Sequence, residues 1–229
     1  MVDLSTSTRR NNAGSQAEIP DVHAINDDIF LVGGYQGYTA DHSKKIITYK
    51  SYANKFKIIE DYLIEFKSEG LQTLTDLGCS AGAVCIAAYF AGLEARGCDH
   101  DLEYLNVLDT ASKGIVTTQK WSFGEPTPAA DIVTMLALVH WVYSCTALYG
   151  SFTDMFAYLR PLINNYFIIE WVAPTDGAIM AFKHTSYNPE VAKEEYTLEN
   201  FESSLHIIGD LVDIRHITDN RALYVMKKN

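Results

Sequence analysis

Hydrophobic and polar positions along the chain follow two alternating periods from residue 52 onwards. The first long segment, YANKFKIIEDYLIEFKSEG, spaces its apolar residues along one face of a helix, and Gly70 is the predicted stop. Short apolar runs then alternate with helical patterns. Strands are predicted at 71–78, 95–99, 114–120, 131–141, 164–174, 211–217 and 221–228. Helices are predicted between them at 81–94, 101–112, 151–160 and 197–209.

Strand–helix alternation that ends in a strand pair predicts an α/β fold with a mostly parallel sheet. We expect a Rossmann-like seven-stranded sheet with an antiparallel C-terminal strand at its edge and helices on both faces. The run at 131–141 is apolar enough for a strand that is covered on both faces. A chain of 229 residues suits one sizeable domain of this kind.

The N-terminal part of the chain differs from the rest in composition. Residues 1–20 are polar and rich in Ser, Thr and Asn, so they predict a flexible tail or linker, and the chain could then be one domain of a larger polypeptide. Residues 21–51 are irregular, with several glycines and tyrosines. We expect this segment to close over a ligand as a lid on the domain at 52–229.

Charge and cysteine content exclude several classes of protein. The net charge is −11, from 29 acidic and 18 basic residues, which argues against a nucleic-acid partner. The chain has no apolar run long enough to span a membrane and no apolar signal segment. Its four cysteines show no metal-binding or disulfide spacing, so we expect no metal and a soluble, cytoplasmic protein.

A turn of small residues follows the first predicted strand of the domain. It reads Asp76-Leu77-Gly78-Cys79-Ser80-Ala81-Gly82, and Asp99 ends the next strand 23 residues after Asp76. Glycines in such a turn let a ligand approach the backbone, and a carboxylate at that distance can bind a ribose diol. A dinucleotide fingerprint would need glycine where Ser80 stands, whereas the pattern acidic-x-Gly-x-x-x-Gly matches completely.

This pattern resembles the first motif of the class I S-adenosylmethionine-dependent methyltransferases. The resemblance implies that S-adenosylmethionine is the cofactor and S-adenosylhomocysteine the product. It also implies a ribose contact from Asp99. The sequence has Ser80 where the family motif most commonly has glycine, and this difference matters little if the φ angle of Ser80 is negative. The implied cofactor-binding residues are Asp76, Gly78, Cys79, Ser80, Gly82, Asp99, His100, Lys120, Trp121 and Leu136.

Two residues after the later predicted strands are candidates for catalysis. His140 has an ordinary pKa that suits a general base for an alcohol. Glu170 could orient His140, accept a substrate hydroxyl or pair with a lysine. Aromatic residues near the same edge predict a surface for stacking sugars, with core packing as the alternative. These substrate-binding candidates are Tyr35, Trp141, Tyr143 and Trp171.

The blocks L-x-L-V-H and I-I-E-W-V-x-P-x-D are similar to a subgroup of methyltransferases associated with nodulation-type and polysaccharide-decorating proteins. Trp141 departs from the His-His of that group. The chain also resembles methyltransferase domains of large viral proteins that build surface glycans. We therefore expect an O-methyltransferase acting on a sugar hydroxyl of a glycan. A small-molecule or protein N- or O-methyltransferase, an NAD-type nucleotide-binding domain and a non-catalytic interaction domain remain open.

Overall fold

The fold consists of a seven-stranded sheet with flanking helices and a four-stranded N-terminal sheet. The computed structural model describes residues 20–34, 36–145, 151–177 and 195–229. The strands are β1 (Val22–Ala24), β2 (Ile29–Val32), β3 (Tyr38–Asp41), β4 (Ile46–Tyr49), β5 (Thr73–Leu77), β6 (Glu94–Asp99), β7 (Thr117–Lys120), β8 (Ala130–Met135), β9 (Ile163–Val172), β10 (Gly209–Thr218) and β11 (Arg221–Lys228). The helices are α1 (Ala53–Ser68), α2 (Ala83–Phe90), α3 (Leu102–Ala111), α4 (Val139–Cys145), α5 (Phe152–Leu159) and α6 (Leu198–Ser204).

The large sheet has the strand order β10-β11-β9-β8-β5-β6-β7. Strands β5 to β9 run parallel, and β11 pairs antiparallel with both β9 and β10. The predicted mostly parallel sheet and its antiparallel C-terminal strand are confirmed. The antiparallel strand lies one position in from the edge, however, because β10 occupies the edge itself. Chain order reverses between β5 and β8, so the carboxyl ends of these central strands border a crevice.

Two apolar cores lie on opposite faces of this sheet. Alternate residues of the central strands enter different cores: Leu74 and Ile132 pack with α1, α2 and α3, whereas Leu77 and Val133 pack with α4, α5 and α6. This alternation is the two-residue period of strands covered on both sides. The central strands are therefore buried on both faces, which leaves their ends and the adjoining loops for ligand binding.

Helix α1 agrees with its predicted pattern. The predicted apolar face is buried along the whole helix, and the helix ends shortly before Gly70, which has a φ angle of 93°. The buried residues of that face are Phe56, Ile59, Tyr62, Leu63 and Phe66. Lys55 is also buried, which the apolar spacing did not indicate.

Residues 22–49 form a regular antiparallel sheet, so the expectation of an irregular segment is wrong. Strands β1 to β4 pair in sequence order, and their inward residues join the core over α1 and α2. Each strand is only three or four residues long, with at most two inward positions, and such short alternation cannot be recognised in a sequence. Whether this segment acts as a lid stays a prediction. The predicted tail at 1–20 lies, apart from Pro20, outside the described residues.

The predicted strand at 131–141 is two elements. Strand β8 ends at Met135, a turn containing Ala137 at a φ angle of 48° follows, and α4 begins at Val139. His140 and Trp141 consequently lie on a helix and not at the end of a strand. A continuous apolar run fits a buried strand and a buried helix equally well.

Across the described ranges, no helix combines the length and the apolar character that crossing a bilayer requires.

Candidate functional site

The turn between β5 and α2 has an unusual backbone. Gly78, Ser80 and Gly82 all have positive φ angles, of 72°, 49° and 81°. The N–H groups of Gly78 and Cys79 donate to the carbonyl of Cys98, at 2.8 and 3.0 Å, and fasten the turn to the end of β6. The positive φ angle of Ser80 corrects the expectation of a negative one. For a residue with a β-carbon this conformation costs about 1–2 kcal/mol, which explains why glycine is common at this position of the resembled motif.

Close packing explains the two glycines of the turn. A β-carbon at Gly78 would lie 2.9 Å from Cδ2 of Leu138, and one at Gly82 would lie closer still to Cδ1 of Leu108. Both distances are shorter than a van der Waals contact, and both glycines are also in the left-handed region. The turn therefore presents bare backbone because neighbouring side chains and its own conformation exclude anything larger.

Asp99 joins this turn to the end of β6. One carboxylate oxygen accepts from the Ser80 N–H at 2.9 Å, and the other accepts from the Asp101 N–H at 3.0 Å. The His100 ring nitrogen Nδ1 lies 3.2 Å from the same carboxylate. Each carboxylate oxygen has two lone-pair sites, so both retain capacity for a ligand hydroxyl.

These groups open onto a cleft of about 800 Å³. Its walls come from the ends of β5, β6, β7 and β8, from α3 and α4, and from the loop between β2 and β3. The lining residues are Pro20, Gln36, Gly78, Ser80, Asp99, His100, Asp101, Glu103, Tyr104, Trp121, Ser122, Phe123, Leu136, Ala137, Leu138, Trp141 and Val142. The structure thus brings together seven of the predicted site residues: Gly78, Ser80, Asp99, His100, Trp121, Leu136 and Trp141.

Four other predicted cofactor residues lie off this surface. Asp76 is buried beneath the turn, where the Thr134 hydroxyl donates to it at 2.6 Å. The pKa of Asp76 is raised to about 7, mainly by burial; the Thr134 hydrogen bond opposes the rise, the charge of Asp99 adds to it and the charge of Lys55 opposes it. Cys79 and Gly82 are part of the turn but do not line the cleft, and Lys120 is exposed at the end of β7.

His140 is buried within α4, with 2% of its surface exposed. Burial, together with the charge of Arg221, lowers the pKa of His140 to about 4, against the opposing effect of Asp176. The imidazole is therefore neutral at neutral pH. Its neighbours Trp141 and Val142 line the cleft, whereas His140 does not.

Glu170 belongs to a buried ion network and not to the cleft. Its carboxylate is fully buried, 2.9 Å from Nζ of Lys55 and 3.4 Å from Arg221. Arg221 also makes two hydrogen bonds to Asp176, at 2.8 and 2.9 Å. Of the three roles considered for Glu170, the structure shows the pairing with a lysine.

The aromatic candidates separate into two groups. Trp141 lines the cleft with 42% of its surface exposed. Tyr143 and Trp171 are buried in the core on the other side of α4, where Trp171 stacks on Tyr196 with ring centroids 4.8 Å apart. For these two, core packing is the correct alternative. Tyr35 lies outside the described residues.

Ten lining residues were not among the predicted site residues, and three of them, Tyr104, Phe123 and Gln36, offer side chains suited to ligand contacts. Tyr104 lies on the first turns of α3, five positions after Asp99, and Phe123 follows β7 shortly after Trp121. Their proximity to predicted contacts was an available signal. Gln36 comes from the loop between β2 and β3, and no pattern in the sequence distinguished it.

The described part of the chain contains no group of three His, Cys, Asp or Glu side chains arranged to hold a metal ion.

No protein-family model matches the sequence, and no curated protein matches it. Solved structures do match. A magnesium protoporphyrin IX methyltransferase from Synechocystis PCC 6803, crystallised with bound S-adenosylmethionine, has 13% identity and a TM-score of 0.55, over 76% of this chain and 80% of that one. A S-adenosylmethionine-dependent methyltransferase from Clostridium acetobutylicum has 12% identity and a TM-score of 0.55, over 76% and 92%.

WbdD, crystallised with the kinase inhibitor LY294002, has 14% identity and a TM-score of 0.55, over 77% of this chain and 41% of WbdD. Identities this low establish the fold alone. The chain has the Rossmann-like fold of the class I S-adenosylmethionine-dependent methyltransferases.

Proposed function

We propose that the protein is a S-adenosylmethionine-dependent O-methyltransferase that acts on a sugar hydroxyl of a glycan. The observation that carries the proposal is the meeting of the glycine turn and Asp99 in one cleft. The Ser80 N–H of the turn donates a hydrogen bond to the Asp99 carboxylate. The turn and Asp99 lie at the carboxyl ends of the central strands, where open parallel sheets bind ligands. The cofactor is proposed because solved structures of this fold contain it.

The cleft fits such a cofactor. Its volume, about 800 Å³, lies within the range of small-molecule sites. The exposed backbone of Gly78 and Ser80 would hold the amino-acid part, and the free lone pairs of Asp99 would accept from the two ribose hydroxyls. Trp121 and Leu136 offer apolar surface for the adenine, beside His100.

Bound S-adenosylmethionine supplies an electrophilic methyl group on a positively charged sulfur. The work left to the protein is to hold the acceptor in line with that methyl group and to exclude water. An alcohol acceptor additionally needs a group to take its proton.

The charges of the cleft favour an acceptor without negative charge. Among the lining residues that the structure describes, Asp99, Asp101 and Glu103 are acidic and none is Lys or Arg. A phosphorylated acceptor would therefore be repelled. Trp141, which is 42% exposed, and Phe123 both line the cleft, and their rings offer flat surfaces for the C–H face of a sugar. The same carboxylates would attract a cationic amine, so N-methylation of an amine is the second candidate.

His140 is the proposed proton acceptor. Its pKa is lowered to about 4, so the imidazole is neutral at neutral pH and could take a proton, but as a weaker base than an ordinary histidine. The acceptor hydroxyl would have to reach it from the cleft, which His140 itself does not line but its neighbours Trp141 and Val142 do. Glu170 has no place in this step, since Lys55 and Arg221 hold its carboxylate in the buried network.

The N-terminal segment at 21–51 is proposed to cover the bound cofactor. Gln36 lines the cleft, and the buried hydroxyl of Tyr38 donates to the Ala81 carbonyl of the glycine turn at 2.8 Å. We further propose that residues 1–20 form a flexible tail or linker and that the chain is one domain of a larger polypeptide.

A methyl-labelled donor tests the function directly. We expect label to pass to neutral sugars or glycans and not to their phosphorylated forms. Transfer to amines alone would favour N-methylation. Affinity for NAD without affinity for S-adenosylhomocysteine would support a nucleotide-binding domain, and affinity for neither ligand would support an interaction domain.

Substitution of His140 by alanine tests the proton acceptor. We expect turnover to fall strongly while calorimetry shows unchanged affinity for S-adenosylhomocysteine, because His140 does not line the cleft. His206→Ala is the matched control, since His206 is an exposed histidine that contacts only the Ser203 carbonyl among the described hydrogen bonds. Turnover within a few-fold of the parent would show that His140 is not the base.

A further inference from the structure

Gln36 carries a buried polar atom that the protein leaves without a partner. Its side chain lines the cleft, and its amide oxygen Oε1 is buried with no hydrogen bond to any described residue. A buried acceptor in this state is destabilising, and buried polar groups in folded proteins are otherwise nearly always satisfied. An unsatisfied acceptor on a residue that lines a binding cleft points to a bound ligand that donates to it.

The loop around Gln36 is fixed to the protein at several points. The Gly37 N–H donates to the Gly34 carbonyl at 3.1 Å, and the Lys50 N–H donates to the Gly37 carbonyl at 2.9 Å. Two residues after Gln36, the buried Tyr38 hydroxyl donates to Ala81 within the glycine turn. Gln36 and the glycine turn therefore line the same cleft, and these hydrogen bonds hold the loop that carries Gln36.

The chemistry of the atom limits the ligand group it can contact. An amide oxygen accepts hydrogen bonds and cannot donate them, so the ligand must present an N–H or O–H group. If the proposed function holds, the glycine turn receives the amino-acid part of the methyl donor, whose ammonium group has three N–H donors and a positive charge.

We infer that Oε1 of Gln36 accepts a hydrogen bond from the ammonium group of the bound S-adenosyl compound. Gln36 is thus a residue by which the N-terminal sheet recognises the methyl donor. The inference rests on the proposed function, because it takes the ligand of the glycine turn from there. A hydrogen bond to a charged group changes affinity by roughly 10- to 150-fold, which corresponds to about 1.5–3 kcal/mol.

Two substitutions at Gln36 test this contact from opposite directions. Gln36→Met keeps the length of the side chain and removes the acceptor, and we expect the affinity for S-adenosylhomocysteine to fall at least tenfold. Gln36→Glu keeps an acceptor and adds negative charge, and we expect affinity equal to or higher than that of the parent. Calorimetry measures both, and thermal unfolding of each variant confirms that it is folded.

A shorter ligand provides the matched control. 5′-Methylthioadenosine retains the adenosine and a methylthio group but lacks the amino-acid part, so we expect the parent and Gln36→Met to bind it equally. Equal loss of both ligands in Gln36→Met would overturn the inference, as would unchanged affinity for S-adenosylhomocysteine. Weaker binding by Gln36→Glu would also overturn it, because a donor and not an acceptor would then be required. If the parent itself binds neither ligand, the proposed function fails together with the inference.

Discussion

Replacing Tyr38 by phenylalanine removes one buried hydroxyl that joins the N-terminal sheet to the glycine turn. Tyr38 lies in β3 with none of its surface exposed, and its hydroxyl donates to the Ala81 carbonyl at 2.8 Å. Ala81 is itself buried and stands between Ser80 and Gly82, both in the left-handed conformation. The substitution leaves the ring in place, so it tests the hydrogen bond alone.

The expected magnitude follows from the burial of both partners. A neutral hydrogen bond contributes about 1 kcal/mol, and a buried carbonyl left without its donor costs about 1–3 kcal/mol. We expect the free energy of unfolding to fall by about 1–3 kcal/mol. If about 1 kcal/mol of this is needed to restore the turn when ligand binds, affinity for S-adenosylhomocysteine falls about fivefold.

Tyr49 provides a matched control on the neighbouring strand. It is the direct cross-strand partner of Tyr38, and its ring stacks on Phe56 with centroids 5.1 Å apart. Its hydroxyl oxygen is buried and has no hydrogen-bond partner in the described ranges. Removing that hydroxyl in Tyr49→Phe should cost little or should stabilise the protein.

Urea unfolding and calorimetry of the two variants complete this test. We expect Tyr38→Phe to lose both stability and affinity, and Tyr49→Phe to lose neither. Equal stability losses in the two variants would refute the reasoning, because the effect would then come from any hydroxyl in this sheet and not from the bond to Ala81.

Three further results are expected from the buried ionisable groups. Burial raises the pKa of Asp76 from 3.8 to about 7, so the folded protein binds this proton more tightly than the unfolded chain does. The free energy of unfolding should therefore fall by about 3 kcal/mol as pH rises from about 4.5 to about 7.5. In urea unfolding, Asp76→Asn should lack this fall, and a constant difference between variant and parent at both pH values would contradict it. His140 has the opposite effect, because its pKa is lowered from 6.5 to about 4. Between about pH 4.5 and about pH 7.5 the stability of the parent should rise by about 2.5 kcal/mol relative to His140→Gln. Lys55→Met leaves the Glu170 carboxylate without its nearest cation and should lower the free energy of unfolding by about 3–5 kcal/mol. The double variant Lys55→Met/Glu170→Met should lose less. A single variant as stable as the parent would contradict the buried ion pair.

The sequence was sufficient to predict the parts of the fold whose signals are long and local. Helix α1 shows its apolar face over four turns, and the glycine turn with Asp99 depends only on spacing along the chain. The strands β1 to β4 escaped prediction because each offers too few alternating positions. Whether a segment of three or four residues forms a strand depends on the strand it pairs with, and the sequence does not identify that partner.

The errors at the site have a related cause. If residues 131–141 and their continuation were a strand, Trp141 and Tyr143 would face the same side. On helix α4, two residues differ by about 200° around the axis, so Trp141 reaches the cleft while Tyr143 enters the core. Glu170 meets Lys55 across 115 positions of sequence, a contact that only the tertiary fold creates.

Co-crystallisation with S-adenosylhomocysteine tests the central claim most directly. The account predicts electron density for the ligand in the cleft, with its amino-acid part at the backbone of Gly78 and Ser80 and its ribose hydroxyls within hydrogen-bond distance of the Asp99 carboxylate. A cleft without ligand density at a saturating concentration of S-adenosylhomocysteine, or a ligand bound elsewhere on the protein, would contradict it.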